Sequence, residues 1–204
     1  MSIAMLLGLI ASWGKLTRSR IGKSVADIYT TVVRGVPELV TILLVYYGMP
    51  TLIQDVLGAM DIDFIINLNP FMAGIGTLGF IYGAFATEVF RGAYLAVPKG
   101  QIEAARAVGM GTILTFRRVI LPQMWRFALP GLANVWMVLI KATALISVIQ
   151  LPELMRNADI ASRATRKPFT FFFAASLIYL LITTGSLIFQ KHVEKWADRG
   201  VRRV

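Results

Sequence analysis

The sequence predicts an all-α membrane protein of about five transmembrane helices, the first one short, with a polar helical hairpin between the third and fourth. Three observations carry this. Of 204 residues, 56% are hydrophobic and 16% are charged, too little polar surface for a soluble domain. The apolar residues gather in runs close to the roughly 20 residues that a helix needs to cross a bilayer. The basic residues gather between those runs rather than in them.

In order, the apolar runs cover about residues 1–13, 36–53, 71–90, 128–151 and 169–189. The last is uncharged and spans a bilayer outright. Three others carry one internal charge each: Glu38, Glu88 and Lys141. The first is short, since thirteen residues rise about 20 Å against a hydrocarbon core of about 30 Å. It lacks the basic start and small-residue cleavage site of a signal peptide. The expectation is a chain that begins inside its first helix, through a late start or a truncation.

The connections set the expected orientation. Lys15, Arg18, Arg20 and Lys23 follow the first run, and Asp55, Asp61 and Asp63 follow the second. Arg91, Lys99, Arg106, Arg117, Arg118 and Arg126 crowd the third connection, and Lys191, Lys195, Arg199, Arg202 and Arg203 fill the tail. The positive-inside rule puts the first and third connections and the tail in the cytoplasm, with the amino terminus periplasmic. The 152–168 loop dissents mildly, with Arg156, Arg163, Arg166 and Lys167 against Glu153 and Asp159. Trp196 is placed as an interfacial anchor.

Composition also excludes. There is no cysteine, so no disulfide or thiolate metal site, and His192 is the single histidine. No catalytic residue and no metal ligand is expected. The net charge of +10 lies in loops flanking apolar runs, which suits topology and lipid headgroups rather than nucleic acid.

The most informative segment is Pro98-Lys-Gly-Gln-Ile-Glu-Ala-Ala-Arg-Ala-Val-Gly109, running on to Val119-Ile-Leu-Pro122. Pro98 suits the opening turn of a helix. Gly109 and Gly111 suit its stop, and Thr112 suits the N-cap of a second helix. Ile102, Ala105 and Val108 fall about three apart and share a face. The bland account is an amphipathic loop on lipid headgroups. The spacing favours a sharper one. Glu103, Ala104, Ala105, Gly109, Leu121 and Pro122 stand in the register of the Glu-Ala-Ala, three residues, Gly, nine residues, Ile-x-Leu-Pro pattern, with Val119 in place of Ile. The segment resembles the coupling loop of bacterial ABC-importer permease subunits, which transmits motion from an ATPase to the membrane helices.

Arg34-Gly-Val-Pro-Glu-Leu39, Gly83-Ala-Phe-Ala-Thr-Glu-Val-Phe-Arg-Gly92 and Lys141-Ala-Thr-Ala-Leu145 resemble permeases of the polar amino-acid uptake branch. The nearest likeness is to the first permease subunit of histidine/lysine/arginine/ornithine importers. The resemblance implies a single transmembrane domain over residues 1–204, with its coupling loop at about 98–122. It implies a bacterial inner-membrane complex with a second permease subunit about a pseudo-twofold axis. Two ATPase subunits and a periplasmic substrate-binding protein complete it. The sequence has no Gly-x-x-x-x-Gly-Lys-Ser/Thr phosphate loop, so ATP and magnesium are expected in the partner ATPase, with no cofactor in this chain.

Ionisable residues inside apolar runs cost about 2.5–3.5 kcal/mol on insertion scales, so they face a cavity or a partner. Glu38 and Glu88, with Tyr82 and Thr143, are the candidate substrate-binding residues. Phe85 and Trp136 are further candidates to line a path. For Glu38 the alternative is a pair with Arg34, four residues earlier. For Glu88 the favoured alternative is a pair with Arg91. Lys141 is expected to pair with a carboxylate or lie at a subunit interface. Pro37 is expected to kink its helix, and Gly74, Gly76, Gly79 and Gly83 to admit close helix contacts. The expected activity is alternating-access import of polar, basic amino acids, with opines or glutamine as alternative cargo. The rival is an intramembrane enzyme or proton-coupled secondary transporter using Glu38 and Glu88 as a relay.

Overall fold

The computed structural model describes residues 1–17, 19–62 and 65–197, without the side chains of 196 and 197. The basic residues Arg18, Arg199, Arg202 and Arg203, together with Asp63 and the Trp196 side chain, lie outside the described residues. Among the described residues the chain is helical, with no strand.

Eight helices follow in order: α1 Ser2–Leu16, α2 Arg20–Gly35, α3 Glu38–Gly58, α4 Pro70–Leu95, α5 Lys99–Ala107, α6 Thr112–Ile149, α7 Leu154–Thr165 and α8 Pro168–Ala197. α3, α4, α6 and α8 are long and apolar enough to cross a membrane, and α1 is a shorter apolar helix.

Two helices fall where the sequence reading placed loops. Residues 20–35 form α2, opened by Ser19, whose hydroxyl accepts from the Gly22 amide at 3.3 Å. Its apolar side chains at 21, 25, 28 and 32 follow helical spacing and stay exposed. Residues 154–165 form α7, capped by Glu153, whose two carboxylate oxygens accept from the Met155 and Arg156 amides. Asp159 then pairs with Arg163 at 3.0 Å and Arg156 at 3.8 Å. That neutralises part of the basic charge that made this connection dissent.

α4 is the central helix. About two thirds (67%) of its apolar window is buried, against 6% for α3 and for α8. α1 lies along α4 on a seam of small residues. A Cβ on Gly8 would come 2.7 Å from the Ala86 Cβ, one on Gly79 2.7 Å from Ile3, and one on Gly83 2.9 Å from Leu7. Gly74 faces Ile146 of α6 at 3.0 Å. Three of the four predicted glycines therefore mark contacts, whereas Gly76 has open space. The end of α4 nearer Ala93 packs on α6 through Phe90, Met124, Ala128 and Leu132.

α3 and α6 each contain one π turn, at Leu44–Gly48 and Phe116–Ile120. Each turn ends one residue short of a helical proline, Pro50 or Pro122. A proline lacks the N–H for the carbonyl four residues back and crowds it with its ring. Widening the preceding turn moves that carbonyl aside and keeps both helices continuous.

Candidate functional site

α2 and α3 lie in succession but are not one helix. Val36 and Pro37 are extended, at ψ 135 and 136, so Pro37 breaks the helix instead of kinking it. The break leaves Arg34 in the last turn of α2 and Glu38 in the first turn of α3. Each charge sits at the helix end whose dipole favours it. The Arg34–Glu38 pair expected of a continuous helix does not form. The Arg34 guanidinium lies over the Phe85 ring, 5.2 Å from its centroid. The Tyr82 hydroxyl donates to Glu38 Oε1 at 3.0 Å. Tyr82 is buried, Glu38 and Phe85 are half-buried, and the two rings lie 5.7 Å apart. The cluster sits near the middle of α4: Phe85 is about 22 Å along a helix about 39 Å long. Tyr82 and Glu38, two of the substrate-binding candidates, are thus brought together, with Arg34 and Phe85 beside them.

Glu88 belongs to a different arrangement. Its Oε1 accepts from Lys15 Nζ at 2.6 Å and its Oε2 from Arg91 Nε at 2.9 Å. Lys15 also reaches Asp27 at 2.9 Å. The four alternating charges join α1, α2 and α4. The Arg91 partner was expected. Lys15 and Asp27 were not, because only the packing of α1 on α4 and of α2 back along α1 brings them near. With both oxygens engaged, Glu88 acts as a clamp between α1 and α4. The Lys15 side chain is 9% exposed, and the two carboxylates offset the cost of holding its charge there.

Thr143 turns to its own helix. It opens the 3-10 segment Thr143–Ile149, and its hydroxyl donates to the Ile140 carbonyl of its own helix at 2.6 Å. Lys141 is exposed and makes no ion pair among the described residues. Trp136 lines a cleft of about 620 Å³ between α6 and α8, with Leu129, Leu132 and Gly185.

The hairpin at 98–122 has the expected helix–turn–helix form. Pro98 stands at the N-cap of α5. Gly109 takes φ +83, where any side chain is strained. Its amide donates to the Arg106 carbonyl at 2.9 Å, and that of Met110 to Ala105 at 3.0 Å. This is the paired C-terminal bonding of a Schellman stop. Gly111, not Thr112, occupies the N-cap position of α6, without a side-chain cap. Glu103, Ala104, Gly109, Leu121 and Pro122 are exposed. Ala105 is 5% exposed, so it packs inside the hairpin and is not at its surface. Val108 leaves the expected Ile102–Ala105 face because α5 ends at Ala107. With Ile113 it forms an apolar tip, 74% and 84% exposed. Gln123 ties the base together by donating to Gln101 at 2.5 Å and the Val119 carbonyl at 2.9 Å.

Known proteins place the chain. It is 45% identical over 201 residues to the histidine/lysine/arginine/ornithine transport system permease protein HisQ of Salmonella typhimurium, covering 98% of this chain and 88% of that one. It is 46% identical over 199 residues to the nopaline transport system permease protein NocQ of Agrobacterium fabrum, covering 97% and 84%. A crystal structure of an amino acid ABC transporter with histidines superposes with a TM-score of 0.81 at 32% identity, over 95% of this chain and 85% of that one. The inward-facing MetNI methionine ABC transporter shares the fold, with a TM-score of 0.65 at 15% identity over 97% and 94%. The profile of the binding-protein-dependent transport system inner membrane component family matches residues 4–199, and the chain belongs to that family of membrane permease subunits.

Proposed function

We propose that this chain is the permease subunit of an ATP-driven importer for basic amino acids, histidine, lysine, arginine and ornithine, working by alternating access. The observation that carries the cargo class is the Glu38 carboxylate. Tyr82 holds one of its oxygens, the other has no partner among the described residues, and it lies at a helix break beside the middle of α4. A cationic side chain crossing a low-dielectric layer needs such a group. The names of the 44–45% identical relatives support the same class.

In this reading Glu38 and Tyr82 meet the cargo, and Glu88 and Thr143 serve the fold. The exposed face of the hairpin, through Glu103, Ala104 and Gly109 with the Val108–Ile113 tip, docks on an ATPase subunit that binds ATP and magnesium. Leu121 and Pro122 carry the motion into α6. Two ATPases, a second permease and a periplasmic substrate-binding protein complete the assembly. The amino terminus is periplasmic and the carboxyl terminus cytoplasmic, in the inner membrane. Opines are the second cargo reading, favoured by the 46% identical nopaline permease.

The test is substrate-stimulated ATPase activity and uptake by the reconstituted complex over arginine, lysine, histidine, ornithine, nopaline and glutamine. Basic amino acids should dominate. Glu38→Gln should weaken their uptake roughly 10- to 100-fold, the worth of a charge-assisted hydrogen bond, and spare glutamine. Uptake driven by a proton gradient without ATPase subunits overturns the reading.

A further inference from the structure

We propose that the Phe85 ring is the seat for the cargo's cationic group, and that Arg34 is a tethered stand-in that fills this seat while the permease is empty. The inference rests on the basic amino-acid reading above and adds a second recognition element to it. Four observations lead to it.

The Arg34 guanidinium carbon is 5.2 Å from the Phe85 ring centroid, inside the roughly 6 Å within which a ring face attracts a cation. Arg34 is exposed and makes no ion pair among the described residues, although a carboxylate stands four positions on. The extended backbone at Val36 and Pro37 has taken that carboxylate out of helical register. Tyr82 then fixes the carboxylate beside the same aromatic pair, through its hydroxyl to Glu38 and its ring 5.7 Å from Phe85. An aromatic face and a half-satisfied carboxylate are thus joined through one tyrosine, and together they form a cation-recognition site. Its present occupant is the chain's own guanidinium.

Arg34 and the cargo carry like charge and repel each other at contact distance. Both cannot occupy one ring face. Cargo therefore binds by displacing Arg34, and apparent affinity is reduced by the fraction of time Arg34 holds the seat. Arg34 lies in the last turn of α2, two residues before Val36, so its release changes the load on the end of α2 as cargo arrives. A neutral cargo has no claim on the ring and leaves Arg34 in place.

The experiment uses the complete reconstituted complex, with fluorinated phenylalanines at position 85. Successive fluorines weaken the ring's negative face while keeping its size. The half-saturating concentration of arginine and lysine should rise stepwise with fluorine number. Phe85→Leu should raise it about two- to thirtyfold, the span from an exposed to a desolvated cation–π contact, with glutamine unchanged. Arg34→Gln should lower it for the cationic cargo. In the double variant the effect of Arg34→Gln should vanish. Flat values across the fluorinated series, or a weaker response to cations in Arg34→Gln, overturn the proposal. If Phe85→Leu reduces the amount of assembled complex, the fluorinated series and the exposed Arg34 variant decide the matter. A wild-type complex with no preference for cations refutes the basic amino-acid reading itself. A cation preference that survives loss of the ring refutes only the Phe85 seat.

Discussion

Gly8→Ala tests whether the α1–α4 seam holds this fold together. The added methyl carbon would lie 2.7 Å from the Ala86 Cβ, 3.1 Å from the Ala86 carbonyl carbon and 3.2 Å from the Thr87 amide. Carbon atoms rest at about 3.5–4.0 Å, so the helices must part by about 1 Å. Neither obstacle is a flexible side-chain end that could swing away. A gap of that size forfeits a quarter to a half of each contact it opens. It also strains the neighbouring Gly79–Ile3 and Gly83–Leu7 contacts. Overpacking of this kind costs about 1–3 kcal/mol. For a chain of this size each kcal/mol corresponds to about 2–4 °C of melting temperature, so the loss should be about 2–12 °C. The assay is thermal unfolding of the purified complex in detergent, followed by size-exclusion recovery after heating. Gly76→Ala is the control, on the same helix with nothing within 4 Å of the added carbon, and should melt as wild type. Equal melting of the two variants, or a Gly8→Ala protein as stable as its parent, refutes the close-packed seam.

Glu88→Gln should destabilise the complex by about 1–3 kcal/mol, because it leaves a mostly buried Lys15 with Asp27 alone; Lys15→Met with Glu88→Gln should recover part of the loss in the same melting assay. Gly109→Val should cost about 1–2 kcal/mol at its positive φ and lower cargo-stimulated ATPase activity while membrane insertion is kept; wild-type stimulation would remove the hairpin from the coupling path. Ala105→Trp should reduce the yield of folded chain rather than only ATPase docking, since the site is filled by its own hairpin, which pulse-chase stability measures directly. A single cysteine beside Asp61 should react with an impermeant thiol reagent from outside, and one beside Arg106 should not; labelling at Arg106 would reverse the proposed topology.

Much of this protein is set locally. Hydropathy places α3, α4, α6 and α8 because a membrane-crossing helix declares itself by length and composition, whatever it packs against. The hairpin is equally local: Pro98 starts it, and Gly109 stops it because its φ is one that other residues adopt at a cost. Backbone chemistry within a dozen residues determines both features, and so both were legible. The glycines of α4 announced that some helix comes close, but which ones do so, and that Gly76 does not, depends on where α1 lies.

The rest needed distance in space. α2 is the exception among the local features: Ser19 and the apolar spacing from Ile21 to Val32 encode it, but its basic residues read equally well as a topology-setting loop. The Lys15–Glu88 contact joins residues 73 positions apart, and no local pattern encodes it. At Glu38 the sequence offered an Arg34 partner at helical spacing. The fold rejected it, because the extended residues before Glu38 separate the two and the aromatic residues of α4 stand closer. Sequence alone determined which segments can cross a membrane and where the polar hairpin sits, because those depend on solvation and on single-residue backbone preference. Which carboxylate clamps helices and which is left half-satisfied was decided by the tertiary structure, because a charge takes the nearest partner in space rather than the nearest in the chain.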